Sequence, residues 1–369
     1  MSDIFEAEAV VIGAGVIGLA IAAALARQGL SVIVVERENQ IGSITSARNS
    51  EVIHAGLYYP PASAKARHCV AGRKMLYDYL EHYKIGHHKI GKYIVAPHLD
   101  DEAALTAIQV RGHKNGAGDV RFVSQAELAR AEPEVEAALA LFSPETGIVD
   151  SHGLMLSLLG EVEAAGGALA VGQEVRAIQN RPDGYWVMIE APEPVVLRST
   201  RVVNAAGHGA LPLARATEGL DRLSLPGQGY AKGTYLKLSG SGPFSHLIYP
   251  MPVPGALGIH ATLDLMGGTR FGPDIQWTDE YDIDLKTCDV AAFYTAVRTY
   301  WPGLPEGALT PDYCGVRPKI YREGSAVDDF LIETADDHGL DGLVALYGIE
   351  SPGLTSALSI GASVAERLC

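Results

Sequence analysis

A chain of 369 residues with 47% hydrophobic side chains is too long for one small core and long enough for two lobes. Its net charge of −15 argues against a nucleic-acid backbone as partner. The four cysteines (Cys69, Cys288, Cys314, Cys369) are scattered without a CxxC pair, which argues against a disulfide framework or a zinc site and for reduced thiols. The stretch Met1–Glu8 lacks the basic residues of a secretory signal, and no apolar run reaches the roughly 20 residues that cross a bilayer. These features predict a cytoplasmic protein without a transmembrane segment, with peripheral membrane contact left open.

The chain opens on its most informative unit. Ala9 to Ile12 reads as a buried parallel strand, and Gly13-Ala14-Gly15-Val16-Ile17-Gly18 follows it. Val16 to Arg27 reads as a helix ended by Gly29, Ser31 to Val35 as a second strand, and Glu36 closes the unit. In such a unit the glycines make a tight turn and let backbone approach a pyrophosphate. The positive end of the helix faces that phosphate, and the acid accepts hydrogen bonds from a ribose. A bare GxGxxG is common; the whole strand–turn–helix–strand–acid pattern is specific.

Further elements follow in order. Ala64 to Tyr83 has helical spacing, and Leu99–Asn115 and Gln125–Ala131 read as surface helices of a second lobe. Ser151 opens a helix to Ala165 that Gly166-Gly167 ends. Short strands are predicted at 168–172, 174–178, 185–190 and 195–197, with a hairpin at Asp183-Gly184. An apolar run from Arg201 to Ala206 stops at Gly207. Strand-like runs at 230–238, 245–251, 257–263 and 269–271 suggest an antiparallel sheet. A helix at Asp289–Tyr300, a strand at Leu343–Leu346 and a helix at Gly353–Leu368 complete the chain. With no repeat, low-complexity tract or linker, the two lobes are expected to interleave.

The opening unit does not choose between NAD and FAD. There is no second GxGxxG, which disfavours reductases with two dinucleotide domains. Asn204-Ala205-Ala206-Gly207 follows a strand and offers small residues to the same dinucleotide. Gly348 and Ser351-Pro352-Gly353-Leu354-Thr355 precede the last helix, whose N-terminus can stabilise the negative edge of a reduced flavin. A nicotinamide dehydrogenase needs neither element, so FAD is predicted.

With these residues the chain resembles the D-amino-acid oxidase superfamily of FAD-dependent oxidoreductases. It is most similar to the branch that contains L-2-hydroxyglutarate dehydrogenase/oxidase. The resemblance covers nearly the whole chain. Its most specific segment is Thr45–Tyr59, joined by Leu247-Ile248-Tyr249-Pro250, Gly315-Val316-Arg317-Pro318 and Ser351-Pro352-Gly353. The chain departs from the family at Arg48 (usually histidine), Glu51 (usually glycine), Lys232 (near a usual arginine) and residues 204–207, which lack a frequent cysteine.

The resemblance implies an α/β fold: a discontinuous Rossmann-like FAD-binding domain with an intertwined mixed-sheet substrate domain. The expected boundaries are 1–85, 145–225 and 320–369 for the first domain, 86–144 and 226–319 for the second. Implied contacts to a noncovalent FAD are Gly13, Gly15, Val16, Ile17, Gly18, Glu36, Arg37, Thr45, Ser46, Arg48, Asn49, Ser50, Val175, Ala205, Ala206, Gly207, Arg317, Gly348, Ser351, Pro352, Gly353, Leu354 and Thr355.

Oxidising a small 2-hydroxy acid, with L-2-hydroxyglutarate as the first candidate, needs a carboxylate clamp and a proton acceptor. Arg317 offers a planar fork matched to a carboxylate, and its neighbours Gly315 and Pro318 predict a constrained turn. His54 and His260 are the base candidates, since histidine is largely neutral near pH 7. Tyr249 is placed to bind the substrate, and Tyr58 and Tyr59 to line an entrance. Lys232, Arg270 and Lys319 are candidates for a second substrate carboxylate. The alternatives are an amine or amino-acid oxidase of glycine- or sarcosine-oxidase type and, more remotely, a flavin-binding protein without turnover. The electron acceptor (oxygen, a quinone or an electron-transfer protein) is not specified by these residues.

Overall fold

The computed structural model describes residues 3–190, 195–252 and 258–369. The chain divides into two compact units, residues 1–47, 151–229 and 318–369, and residues 48–150 and 230–317. Segment 48–85, which the sequence assigns to the first domain, therefore lies in the second unit. Local pairing explains the change. Val52–Ile53 and His87–His88 both pair with Gly147–Val149, and Arg73 of helix Ala64–Tyr83 donates to the carbonyls of Ala55 and Gly116.

In the first unit a six-stranded sheet has the spatial order Ala168–Ala170, Val32–Val35, Ala9–Ile12, Arg201–Asn204, Leu343–Tyr347 and Leu331–Glu333. The first five run parallel, and the last is antiparallel. Ala9–Ile12 is buried at every position, as a parallel strand covered on both faces requires. Helix Val16–Arg27 packs on helices Ser151–Ala164 and Gly353–Leu368. The second contact is backbone to backbone: a Cβ on Gly361 would lie 2.6 Å from the Ala20 carbonyl oxygen. Gly361→Ala is expected to wedge these helices apart and lower stability by about 1–3 kcal/mol. Urea unfolding checks this, and an unchanged midpoint would refute the close approach.

A second sheet of this unit orders Asp3–Glu6, Val195–Ser199, Gly184–Glu190 and Glu174–Arg181. The predicted hairpin is present, with Arg181 opposite Gly184. The strand Asp3–Glu6 is not anticipated by sequence. It is half charged, and Ile4 and Phe5 stay exposed, so backbone pairing to Val195–Ser199 defines it rather than burial.

The second unit is built on a mixed sheet with the order Leu309–Arg322, Gly227–Leu238, Thr269–Gly272, His260–Leu263, Leu247–Pro250, Lys92–Ala96, Leu139–Ser143 and Arg121–Val123. The runs predicted to form an antiparallel sheet do so: Leu247–Pro250 pairs with His260–Leu263, that strand with Thr269–Gly272, and that one with Gly227–Leu238, each antiparallel. Leu247–Pro250 also runs parallel to Lys92–Ala96, a strand the sequence reading did not single out, because the chain enters the sheet from two distant segments. The predicted strand start at Leu257 falls outside the described residues. Leu309–Arg322 is one 14-residue strand where the sequence predicts a turn around Gly315 and Pro318. Gly315 serves close approach, since a Cβ there would lie 2.3 Å from the Arg48 carbonyl oxygen. Pro318 is tolerated because the neighbour on one side, Ser325–Ala326, pairs only at Tyr321 and Arg322.

Alternation along these strands separates two faces. Tyr93, Ile248, Ala261, Phe271 and Leu236 join one apolar core with Leu105, Ile108, Phe293 and Val297 from helices Glu102–Asn115 and Val290–Val297. The intervening residues Lys92, Tyr249, His260 and Tyr235 fall on the other face. All four cysteines are free thiols. Among the described residues no helix is long and apolar enough to cross a membrane.

Candidate active site

In the first unit the glycine turn is bare backbone by necessity. Gly13 has φ 104° and a Cβ there would lie 2.5 Å from the Ala205 carbonyl oxygen; a Cβ on Gly18 would lie 1.9 Å from that of Gly13. The Ala205 N–H bonds the Ile12 carbonyl at 2.9 Å, which brings residues 205–207 alongside the turn. Ser46 Oγ accepts from the Val16 N–H at 3.0 Å, so the segment carrying Thr45 and Ser46 meets the first turn of the helix. Glu36 accepts the N–H of Ala14 at 2.7 Å on one carboxylate oxygen and that of Glu38 at 2.8 Å on the other. Each oxygen keeps a lone pair for a hydroxyl. This turn, which a side chain at position 13 or 18 would drive apart by colliding with backbone, has the bare amides and the acid that suit a pyrophosphate and its ribose.

The other expected cofactor residues are divided between the two units. Arg37 pairs with Glu38 at the surface. Val175 sits at a β-bulge two residues after Gln173, whose N–H bonds the Glu36 carbonyl. Gly348 has φ 65°, and Ser351 and Pro352 lead into the helix that Gly353, Leu354 and Thr355 begin. Arg48, Asn49, Ser50 and Arg317 belong to the second unit. Arg48 donates to the Cys314 carbonyl, the Asn49 carbonyl accepts from Tyr313, and Ser50 bonds the Tyr235 hydroxyl at 2.9 Å.

The second site lies on the polar face of the second unit's sheet. Tyr249 and His260 sit opposite each other on adjacent strands, with rings parallel within 3° and 3.8 Å apart. The ammonium of Lys92 lies 4.3 Å from the centre of the Tyr249 ring and 4.8 Å from that of Tyr58. Buried polar atoms here lack hydrogen-bond partners among the described residues: Tyr58 Oη, Tyr249 Oη, His260 Nδ1 and Arg317 Nη1. Buried polar groups are ordinarily satisfied, so four orphans on one face mark a place shaped for a polar ligand.

The electrostatics give that ligand a sign. Burial pushes Lys92 down to about 7, and burial, with a smaller push from the Lys92 charge, brings His54 down to about 3. Burial holds His260 well below its usual value, with the charges of Lys92, His54 and Arg317 adding to the effect. Both histidines are thus neutral proton acceptors. Asp274 is the carboxylate whose charge reaches Tyr235, and its oxygens are taken by the Thr234 N–H at 2.6 Å and Gln276 at 2.9 Å. Arg317 forms no ion pair among the described residues; its Nη2 reaches only the Asp274 carbonyl at 3.4 Å. Among the described residues the Arg317 cation and the protonatable Lys92 amine both lack a counter-ion, and an anion would pair with the first and favour the charged form of the second.

The structure therefore gathers His54, Tyr58, Tyr249, His260 and Arg317 in one unit. It removes the three candidates for a second carboxylate. Lys232 is buried and bonded to Asp282, the Asp284 carbonyl and Thr287. Arg270 is held between Asp264 and Asp312, and Lys319 by Glu350. Each already has its anion, which sequence alone does not reveal. Lys92 and Tyr235 were missed. The available signal was a lysine heading the apolar run Tyr93–Ala96 between Gly91 and Pro97.

The model of the family described as FAD dependent oxidoreductase matches residues 8–367. The chain belongs to this family. FAD is accordingly the cofactor of this oxidoreductase. A mitochondrial L-2-hydroxyglutarate dehydrogenase of Arabidopsis thaliana is 38% identical to it, over 98% of this chain and 83% of the plant protein. An L-2-hydroxyglutarate dehydrogenase of Indibacter alkaliphilus is 27% identical, over 97% of this chain and 98% of its own. Among solved structures, L-alpha-glycerophosphate oxidase from Mycoplasma pneumoniae with FAD bound has a TM-score of 0.88 at 24% identity, covering 98% of this chain and 94% of that one. Glycine oxidase from Geobacillus kaustophilus has a TM-score of 0.82 at 19% identity, covering 99% and 95%. At those identities the two structures speak for the α/β fold with mixed sheets.

Proposed function

We propose that this FAD-dependent enzyme oxidises a small L-2-hydroxy acid to the 2-oxo acid, with L-2-hydroxyglutarate as its substrate. The observation that carries the reading is the cluster of unpartnered buried donors and neutral histidines around Lys92 and Arg317. The identity to the plant dehydrogenase supports the choice of acid.

FAD, when bound, supplies the acceptor for the hydride that leaves the α-carbon. The chain's own residues supply the rest. Arg317 holds the α-carboxylate through its fork. His54 or His260 takes the hydroxyl proton as the carbon–oxygen double bond forms. Tyr249, stacked on His260, offers its free hydroxyl to the substrate. An amine oxidase has less need of a neutral base, because a neutral amine carries its own electron pair.

The test is a spectrum of the yellow holoenzyme without air. Addition of L-2-hydroxyglutarate is expected to bleach the flavin. Bleaching only by glycine or sarcosine would establish the amine reading instead, and bleaching by none of them would leave a protein without this turnover. Oxygen uptake in the same assay separates oxygen from a quinone or an electron-transfer protein as acceptor.

A further inference from the structure

The reading above leaves one buried cation without work. Lys92 is 1% exposed and begins the strand Lys92–Ala96. It makes no hydrogen bond or ion pair among the described residues, and its contacts are the faces of two tyrosine rings. Ring contacts of this kind offset only part of the cost of burying an ammonium. The titratable groups around it are Cys69, His54, His260, Tyr58 and Tyr249, none of them a carboxylate. The hydroxyls of both tyrosines are also unpartnered.

We propose that Lys92, with the hydroxyls of Tyr58 and Tyr249, receives a second carboxylate, so that this oxidoreductase selects dicarboxylic over monocarboxylic 2-hydroxy acids. An ammonium and two unpartnered hydroxyls suit a carboxylate, whose two oxygens can accept from all three. Together with Arg317 the site then carries two cations for the two negative charges of the substrate. Lys232, Arg270 and Lys319 cannot fill this role, since each is already bonded to an acid of its own. The inference rests on the proposed oxidation of L-2-hydroxyglutarate and adds the residues that read its second carboxylate.

Two substrates with the same five-carbon chain test it: L-2-hydroxyglutarate and L-2-hydroxyvalerate, which ends in a methyl group. The holoenzyme is expected to favour the dicarboxylate in kcat/KM by about 100-fold. Lys92→Met is expected to collapse that ratio toward one, mainly by loss on the dicarboxylate. An equal loss on both substrates would overturn the inference, because it would place Lys92 at the reacting carbon or in the fold.

Calorimetry with glutarate, which has no hydroxyl to oxidise, gives a second readout. At pH 8, in two buffers of different ionisation enthalpy, the oxidised holoenzyme is expected to take up a proton on binding, and Lys92→Met to lose both affinity and uptake. Binding without uptake, or unchanged in the variant, would overturn the inference. Should the enzyme oxidise neither hydroxy acid, the proposed reaction falls, and the calorimetry decides the carboxylate site by itself.

Discussion

Arg317→Ala is expected to lower kcat/KM for the 2-hydroxy acid by about 100- to 1000-fold while FAD stays bound. The guanidinium is poised rather than spent. One terminal nitrogen is buried without a partner, and the other has only a long bond to the Asp274 carbonyl. Gly233 keeps the space beside it open, since a Cβ there would lie 3.1 Å from Nη2. An α-carboxylate completes the fork with two charge-assisted hydrogen bonds, each worth about 1.5–3 kcal/mol. Arg317→Lys keeps the charge and loses the fork, so it is expected to fall between the two, about tenfold below the parent. Steady-state kinetics with the flavin absorbance as loading control checks both variants. Normal turnover by the alanine variant would end the assignment.

Joint replacement of His54 and His260 by glutamine is expected to slow anaerobic flavin reduction by about 100- to 10,000-fold, the usual worth of a positioned base. The single variants show which histidine takes the proton. The pH dependence follows from the depressed values. His54 is held at about 3 and His260 well below 6.5, so both are neutral at every pH above histidine's usual value. The reduction rate is therefore expected to show no acid limb at 6.5, and a limb there would count against these bases.

Stability carries the same sign. The unfolded chain takes protons on these histidines as pH falls through about 6.5, whereas the native chain resists to about 3 for His54. The share of native stability that these histidines carry is thus fully present above pH 6.5 and declines below it. His54→Gln is expected to flatten that decline in thermal midpoints measured from pH 7 to 4.

The dinucleotide half of the protein was legible because its chemistry is local. Gly13, Gly15 and Gly18, the apolar strands on either side and Glu36 lie within 28 residues, and the turn that joins them is set by backbone sterics. The same locality made the helices Ala64–Tyr83, Ser151–Ala164 and Gly353–Leu368 readable, each from its apolar period. Strand Leu309–Arg322 was misread around Gly315, because the glycine answers a neighbour 267 positions earlier (315 − 48) rather than a turn. Lys92 was overlooked for a related reason. A lysine ahead of an apolar run resembles a solvated strand end, and only the pairing of Lys92–Ala96 beside Leu247–Pro250 turns it inward against two tyrosines.

The amino-acid order by itself thus determined the family and the strand, glycine turn and helix that open the chain, since each is a property of neighbouring residues. Tertiary structure alone decided which cations are free. Lys232, Arg270 and Lys319 are neutralised by carboxylates that folding brings to them, whereas Lys92 and Arg317 are left without one. A charge is available to a substrate only when nothing nearer has claimed it, and that is settled by contacts between residues remote in the chain.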